Sequence, residues 1–332
     1  MMKKLTALLL ALVLVLAGAL AACTPPETPP PAGEAPTVRI AGMKGPTSMG
    51  LVKLAEDNAN GTSTNKYSIK MDYKKADEIL PLLVRGDLDM AALPANVAAN
   101  AYTKNNGFVQ VLAINTLGVV NIVEKGDTIT DFADLVGKTI YAVGKGTTPQ
   151  YALEYLLAQH DMSLSDLTIE WKSEASEILP LLKQNDGAVA MIPQPFVTAA
   201  CKQVEGLRVA IDFNAEWAAL ENGTQFVTGV LVARREFVEK YPAVVTAFLA
   251  EYEASIKYAN ENPAEAADLV IKYGIVDFGK PVATQAIPKC NLSFVAGAKM
   301  KTALSGYLAT LLAANPDSVG GKLPEDAFYY GA

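Results

Sequence analysis

The sequence predicts an α/β protein of two similar lobes, each a mostly parallel sheet flanked by helices. Two observations carry that expectation. Residues 76–94 (ADEILPLLVRGDLDMAALP) align without gaps on residues 175–193 (ASEILPLLKQNDGAVAMIP) at an offset of 99, sharing EILPLL and the closing proline, Pro94 against Pro193. Upstream of each copy a short apolar run, 38–43 (VRIAGM) and 140–144 (IYAVG), leads into a similar turn: Lys44-Gly45-Pro46-Thr47 and Lys145-Gly146-Thr147-Thr148. Two copies describe two lobes, whereas a solenoid needs three repeats or more.

The elements follow in order. Residues 38–43 and 140–144 are apolar and β-branched, ending at glycine, and read as strands. Helical periodicity follows over 49–57 (MGLVKLAED) and 151–159 (YALEYLLAQ). A second helix in each unit starts from an N-cap residue type, Asp77 and Ser176. Pro81 and Pro180 then fall at the end of the first turn, where a missing N–H costs little. Strands at 89–93 (DMAAL) and 188–192 (AVAMI) stop at Pro94 and Pro193. Strand–helix–strand succession of this kind joins parallel strands.

At the N-terminus Lys3 and Lys4 precede an apolar run over 5–20 and the small residues Ala21 and Ala22, the pattern of an export signal. The ending Leu20-Ala21-Ala22-Cys23 resembles the bacterial lipobox. That resemblance implies a signal peptide over 1–22 and a diacylglyceryl group on Cys23. An uncleaved signal anchor is the alternative, and no stop-transfer flank supports it. Residues 24–36 (TPPETPPPAGEAP) are proline-rich and extended, so 23–36 reads as a lipidated cysteine and a semi-stiff tether.

Charge and composition narrow the function. The chain has 28 Lys and Arg against 35 Asp and Glu, a net charge of −7 that becomes −9 without Lys3 and Lys4. An acidic chain without a basic stripe argues against nucleic acid as partner. His160 is the only histidine, in a polar stretch after a helix. With no Ser-His-Asp set and no clustered metal-type ligands, the expectation is no enzyme, no catalytic residue, no cofactor and no metal. Cys201 and Cys290 lack redox or metal spacing, leaving buried thiols or a disulfide open.

Ligands of open α/β sheets lie beyond the carboxyl ends of the strands. The first candidate loop there is Gly45, Pro46, Thr47 and Ser48, with Gly146, Thr147 and Thr148 opposite. Helix N-termini at such turns carry free N–H groups that suit an electron-rich group. The plainer reading is that the glycines allow a turn and the hydroxyls cap a helix. Pro94, Asn96 and Gln194 stand at the matching strand ends, the amides able to donate and accept. Lys44 and Lys145 flank the turns and read as solvated. No arginine sits on these loops, which favours an uncharged or weakly anionic organic solute over a hard oxyanion.

Taken with 228–240 (TGVLVARREFVEK) and 315–330 (NPDSVGGKLPEDAFYY), the repeat makes the chain resemble the periplasmic-binding-protein type II superfamily. The closer resemblance is to the nitrate/sulfonate/taurine-binding and NMT1/THI5-like branch. It implies a two-crossover hinge, near 115–119 (NTLGV) and 226–229 (FVTG), with lobe one at 37–117 plus 230–332 and lobe two at 118–229. Asn115, Thr116, Phe226 and Thr228 then flank the ligand from the hinge side. The implied role is a monomeric substrate-binding lipoprotein, lipid-anchored on the extracytoplasmic face of the cell membrane. By hinge closure it would deliver a small organic solute to the permease subunits of an ABC transporter with a cytoplasmic ATPase. The alternatives are an enzyme of the THI5-like or menaquinone-pathway type on the same fold, and a sensory lipoprotein presenting its ligand to a receptor. Export speaks against the enzyme.

Overall fold

The computed structural model describes residues 35–332. The signal peptide expected over 1–22, Cys23 and the tether to residue 34 lie outside the described residues. Thr37–Ala332 form one compact unit.

In chain order the strands are β1 (Val38–Met43), β2 (Tyr67–Tyr73), β3 (Met90–Pro94), β4 (Val109–Leu117), β5 (Val120–Lys125) and β6 (Thr139–Ala142). They continue as β7 (Thr168–Trp171), β8 (Val189–Pro193), β9 (Leu207–Asp212), β10 (Val227–Arg234) and β11 (Leu292–Val295). The helices begin with α1 (Pro46–Met49), α2 (Val52–Ala59), α3 (Ala76–Arg85), α4 (Ala95–Lys104), α5 (Thr148–Gln159) and α6 (Ile178–Gln184). After these come α7 (Phe196–Gln203), α8 (Phe213–Ala219), α9 (Arg235–Lys240), α10 (Pro242–Glu261), α11 (Pro263–Lys272), α12 (Lys280–Ala286) and α13 (Gly297–Ala314).

Two sheets form, in the orders β11-β4-β10-β3-β1-β2 and β7-β6-β8-β5-β9. Within each, the repeated strand–helix–strand units pair in parallel: β1 with β2 and β3, β6 with β7 and β8. The sheets are nonetheless mixed. β10 runs antiparallel to both β3 and β4, and β5 antiparallel to both β8 and β9. These are the two strands that enter a sheet directly from the other one, so each runs against its neighbours. The outward crossing is the tight pair Gly118-Val119 between β4 and β5. The return is complete by Val227, three residues before the start at 230 that the sequence suggests.

The second helices of the repeat start earlier than expected. The N-cap of α3 is Lys75 and that of the short 3-10 turn leading into α6 is Glu174, so Asp77 and Ser176 lie inside the first turn. Glu174 and Glu177 form a reciprocal capping box there, which does the work assigned to Ser176. Pro81 consequently sits in the sixth position of α3, deeper than expected.

The helices are held by apolar stripes. α10 buries Val245, Phe248, Tyr252, Ile256 and Ala259, spaced three or four apart on one face. Burying each large member stabilises the fold by about 1.5–3 kcal/mol. Its Ser255 Oγ donates to the Gly50 carbonyl at 2.6 Å and accepts from Leu54 N at 3.0 Å, tying α10 to α2. A second core runs through both sheets, joining Ile114 and Val120 at the crossing to Trp217, Phe226 and Tyr307. Among the described residues no helix is long and apolar enough to cross a membrane.

Candidate functional site

The carboxyl ends of the two sheets meet. After β1 the chain turns at Gly45, whose φ of 119° belongs to glycine, and enters α1 at Pro46. After β6 it turns at Gly146, with φ of 73°, and enters α5 from Thr147. A Cβ at either glycine would meet no atom within 4 Å, so both turns border open space. β3 ends on Pro94, the N-cap of α4, which puts Asn96 in that helix's first turn.

The predicted residues gather into two adjoining groups. On the first sheet Asn115 Nδ2 donates to the Thr47 carbonyl at 3.1 Å, and Thr116 Oγ1 donates to Asn115 Oδ1 at 3.0 Å. Ser48 Oγ donates to the Met43 carbonyl at 2.6 Å, closing the first loop. The second group crosses between the sheets. Thr148 Oγ1 donates to Asn96 Oδ1 at 3.2 Å and approaches the Thr228 carbonyl at 3.5 Å. Asn96 Nδ2 donates to the Gly146 carbonyl at 3.4 Å. β10 joins the groups, because Gly229 pairs with Pro94 on one side and Thr116 on the other.

Three residues of the second group carry no signal in the repeat. Asn96 Nδ2 and Asn100 Nδ2 both donate to the Ser318 carbonyl, at 3.3 and 2.6 Å, and the Tyr307 hydroxyl lies beside Thr148. Asn100 is four residues after Asn96 on one helix face, which is the pattern that points to it. Ser318 lies in the 315–330 tail that carries the family resemblance, yet nothing there singles it out. Burial pushes the phenols of Tyr307 and Tyr252 well above their ordinary range, so both stay protonated.

Two expectations meet a different environment. Phe226 is 2 % exposed and stacks on Trp217 with centroids 5.4 Å apart, so its ring is taken up by the core. Gln194 points its Oε1 at Thr198, accepting from N at 3.2 Å and from Oγ1 at 2.9 Å. It borders a separate groove of about 600 Å³ at the crossing, with Gly118, Lys202, Lys289 and Asn291. Cys201 and Cys290 are free thiols. Among the described residues no three His, Cys, Asp or Glu side chains gather as a metal site would need.

The charged groups around the junction pair among themselves. Lys44 Nζ lies 3.1 Å from Asp277, and Glu154 accepts from Gln150 at 2.7 Å and from Asn315 at 2.9 Å. Lys74, just past β2, reaches Glu174, just past β7, at 2.7 Å. That ion pair ties the far edges of the two sheets, and the Glu174 carboxylate raises the Lys74 pKa. Lys74→Ala is expected to speed amide hydrogen exchange at the ends of β2 and β7 about two- to fivefold, with the effect fading at high salt. Exchange measured at two ionic strengths checks it; equal rates in both proteins would exclude a tie.

Comparison with known proteins places this geometry. A solved ABC transporter structure from Parabacteroides distasonis superposes with a TM-score of 0.70 at 24 % identity, covering 88 % of this chain and 98 % of that one. The periplasmic aliphatic sulphonate binding protein SsuA of Escherichia coli gives a TM-score of 0.68 at 19 % identity, over 89 % and 93 %. At such identities the likeness is one of fold. A Brucella abortus protein to which a binding role is ascribed is 25 % identical over 172 residues, 52 % of each chain. The chain thus spans about half the length of the curated relatives it matches. The model of the NMT1/THI5-like family matches residues 68–266, well over half of the sequence, so the chain belongs to the NMT1/THI5-like family.

Proposed function

We propose that the chain is an extracytoplasmic solute-binding lipoprotein that hands a small organic solute to an ABC importer and performs no chemistry of its own. The observation that carries this reading is the junction itself. Asn96, Gly146, Thr148 and Thr228 come from strand ends of opposite sheets and meet through hydrogen bonds that join the two sheets. In this reading lobe one comprises 37–117 plus 227–332 and lobe two 118–226, the return falling three residues before the start at 230 that the sequence suggests. They hinge at Gly118-Val119 and at the entry to β10 and close on solute held by the Gly45–Ser48 and Gly146–Thr148 loops. The monomer docks on permease subunits in its closed form. Lipid on Cys23 and the proline-rich tether keep it at the outer face of the membrane.

The test is thermal unfolding of the chain against a panel of vitamins, nucleobases, sulfonates, nitrate and amino acids. A solute at a hundred times its dissociation constant stabilises the folded state by about 2.7 kcal/mol, several degrees in midpoint. Gly45→Val and Gly146→Val are each expected to abolish that shift. A Cβ at either place meets no neighbour, but both glycines sit at positive φ and valine also strains the turn, so urea unfolding of each variant separates lost binding from a lost fold. A full shift in both variants would remove the two loops from the site.

A further inference from the structure

Oxyanions are held by free N–H groups and fixed cations; this junction has given up several of the first and offers few of the second. Pro46 opens α1 and Pro149 is the second residue of α5, each deleting a first-turn donor. Some amides of these turns, and one at the start of α7, have partners inside the chain. Ser48 N donates to the Gly45 carbonyl at 3.3 Å, Gly146 N to Gln150 Oε1 at 2.9 Å, and Thr198 N to Gln194 Oε1 at 3.2 Å. Lys44 and Lys74 face carboxylates, while Lys145 stands exposed on its turn.

What the junction does offer is neutral. Asn100 Oδ1, Thr228 Oγ1, Tyr307 OH and Ser318 Oγ are buried without a hydrogen-bond partner, and all four residues belong to the network around Asn96 and Thr148. An unpartnered buried polar atom is costly, and four of the six such side-chain atoms among the described residues fall in this one network, where another molecule would supply the missing partners. Asn100 Nδ2 already donates to the Asn96 and Ser318 carbonyls, and its Oδ1 is an acceptor. The Tyr307 phenol keeps its proton and donates, and the two aliphatic hydroxyls do either. A charged solute enclosed there would have no fixed counter-charge.

We propose that the solute is a small uncharged molecule bearing both hydrogen-bond donors and acceptors, held by Asn100, Thr228, Tyr307 and Ser318. This rests on the solute-binding reading above and narrows it. It also separates this chain from the sulphonate binder whose fold it shares.

Calorimetric titration of the full chain in detergent tests it. Uracil, nicotinamide and myo-inositol serve as neutral probes, with nitrate, sulfate and ethanesulfonate as anions. Binding is expected among the neutral probes alone, unchanged by salt. Thr228→Val and Tyr307→Phe should each weaken it about tenfold. Both should leave unliganded stability equal or higher, since each deletes a hydroxyl that has no partner. Lys145→Ala should bind like the parent. Selective anion binding that falls with salt and needs Lys145 would overturn the inference while leaving a solute-binding protein. Neutral binding indifferent to both hydroxyl deletions would overturn the assigned contacts. No binding by either class would defeat the inference together with the function it rests on.

Discussion

Trp217→Ala is expected to lower the free energy of unfolding by about 3–5 kcal/mol, a large share of a typical domain's stability. The indole is 1 % exposed and stands where three parts of the chain meet. It stacks on Phe226 of the returning segment, with rings 15° apart, and lies 4.5 Å from Tyr155 of α5 and 5.4 Å from Tyr307 of α13. Its Nε1 donates to Thr224 Oγ1 at 2.9 Å. Alanine forfeits the transfer energy of the ring and leaves a cavity that α8 cannot close without dragging the return crossing with it. Trp217→Phe keeps most of the packing and should cost no more than about 1–3 kcal/mol. Urea unfolding measures both. A loss below about 1 kcal/mol for the alanine variant would mean that the site collapses freely, against the packing described.

Glu124→Ala is expected to cost about 2–4 kcal/mol, through lost hydrogen bonds rather than volume. Glu124 is fully buried in β5. Its carboxylate accepts from Thr128 Oγ1 at 2.6 Å, Thr128 N at 3.0 Å, Ile129 N at 3.1 Å and Arg208 Nη2 at 2.7 Å. Removing it leaves the Thr128 and Ile129 amides without their acceptor, while Arg208 keeps the Gly126 and Ile129 carbonyls. Burial alone would raise this carboxyl's pKa, but the donors from Thr128 and Ile129 together with Arg208 outweigh it and hold the group below the usual range. A lowered folded-state pKa gives stability that is complete above the unfolded value of about 4.3 and is lost as pH falls through the folded one. The gap between parent and variant should therefore be constant from neutral pH down to about 5 and shrink below about 4. Urea titrations across that range decide it. A gap that widens in acid would mean that the folded pKa is raised.

The duplicated segment made most of the architecture legible. EILPLL and a proline repeat because each lobe needs the same helix packed on the same strand, and a strand end recurs wherever the sheet stops. The junction residues Asn96, Gly146 and Thr148 were readable for that reason, since position at a strand's carboxyl end is a local property. What the sequence hid was set by tertiary contacts. Tyr307 and Ser318 reach the site from the C-terminal part of the chain, and an apolar-looking helix face does not announce one phenol aimed at a threonine from the other lobe. The turn amides looked free because their partners, such as Gln150 for Gly146, are side chains whose direction no pattern gives. Phe226 looked like a stacking ring by position alone, and Trp217 claims it.

The place of β10 in the first sheet bears on how the molecule is made. β3 and β4 each hydrogen-bond to β10 and not to one another, yet β4 ends about 110 residues before β10 begins. Made from the N-terminus at about 5–20 residues per second, the chain leaves the inner edges of β3 and β4 bare for about 5–20 seconds. The second sheet, drawn wholly from residues between Val120 and Asp212, has a shorter wait, since β5 ends about 64 residues before β8 begins, about 3–13 seconds. The lobe that starts first is thus the one that finishes last, and its sheet is complete only when nearly all of the chain has been made.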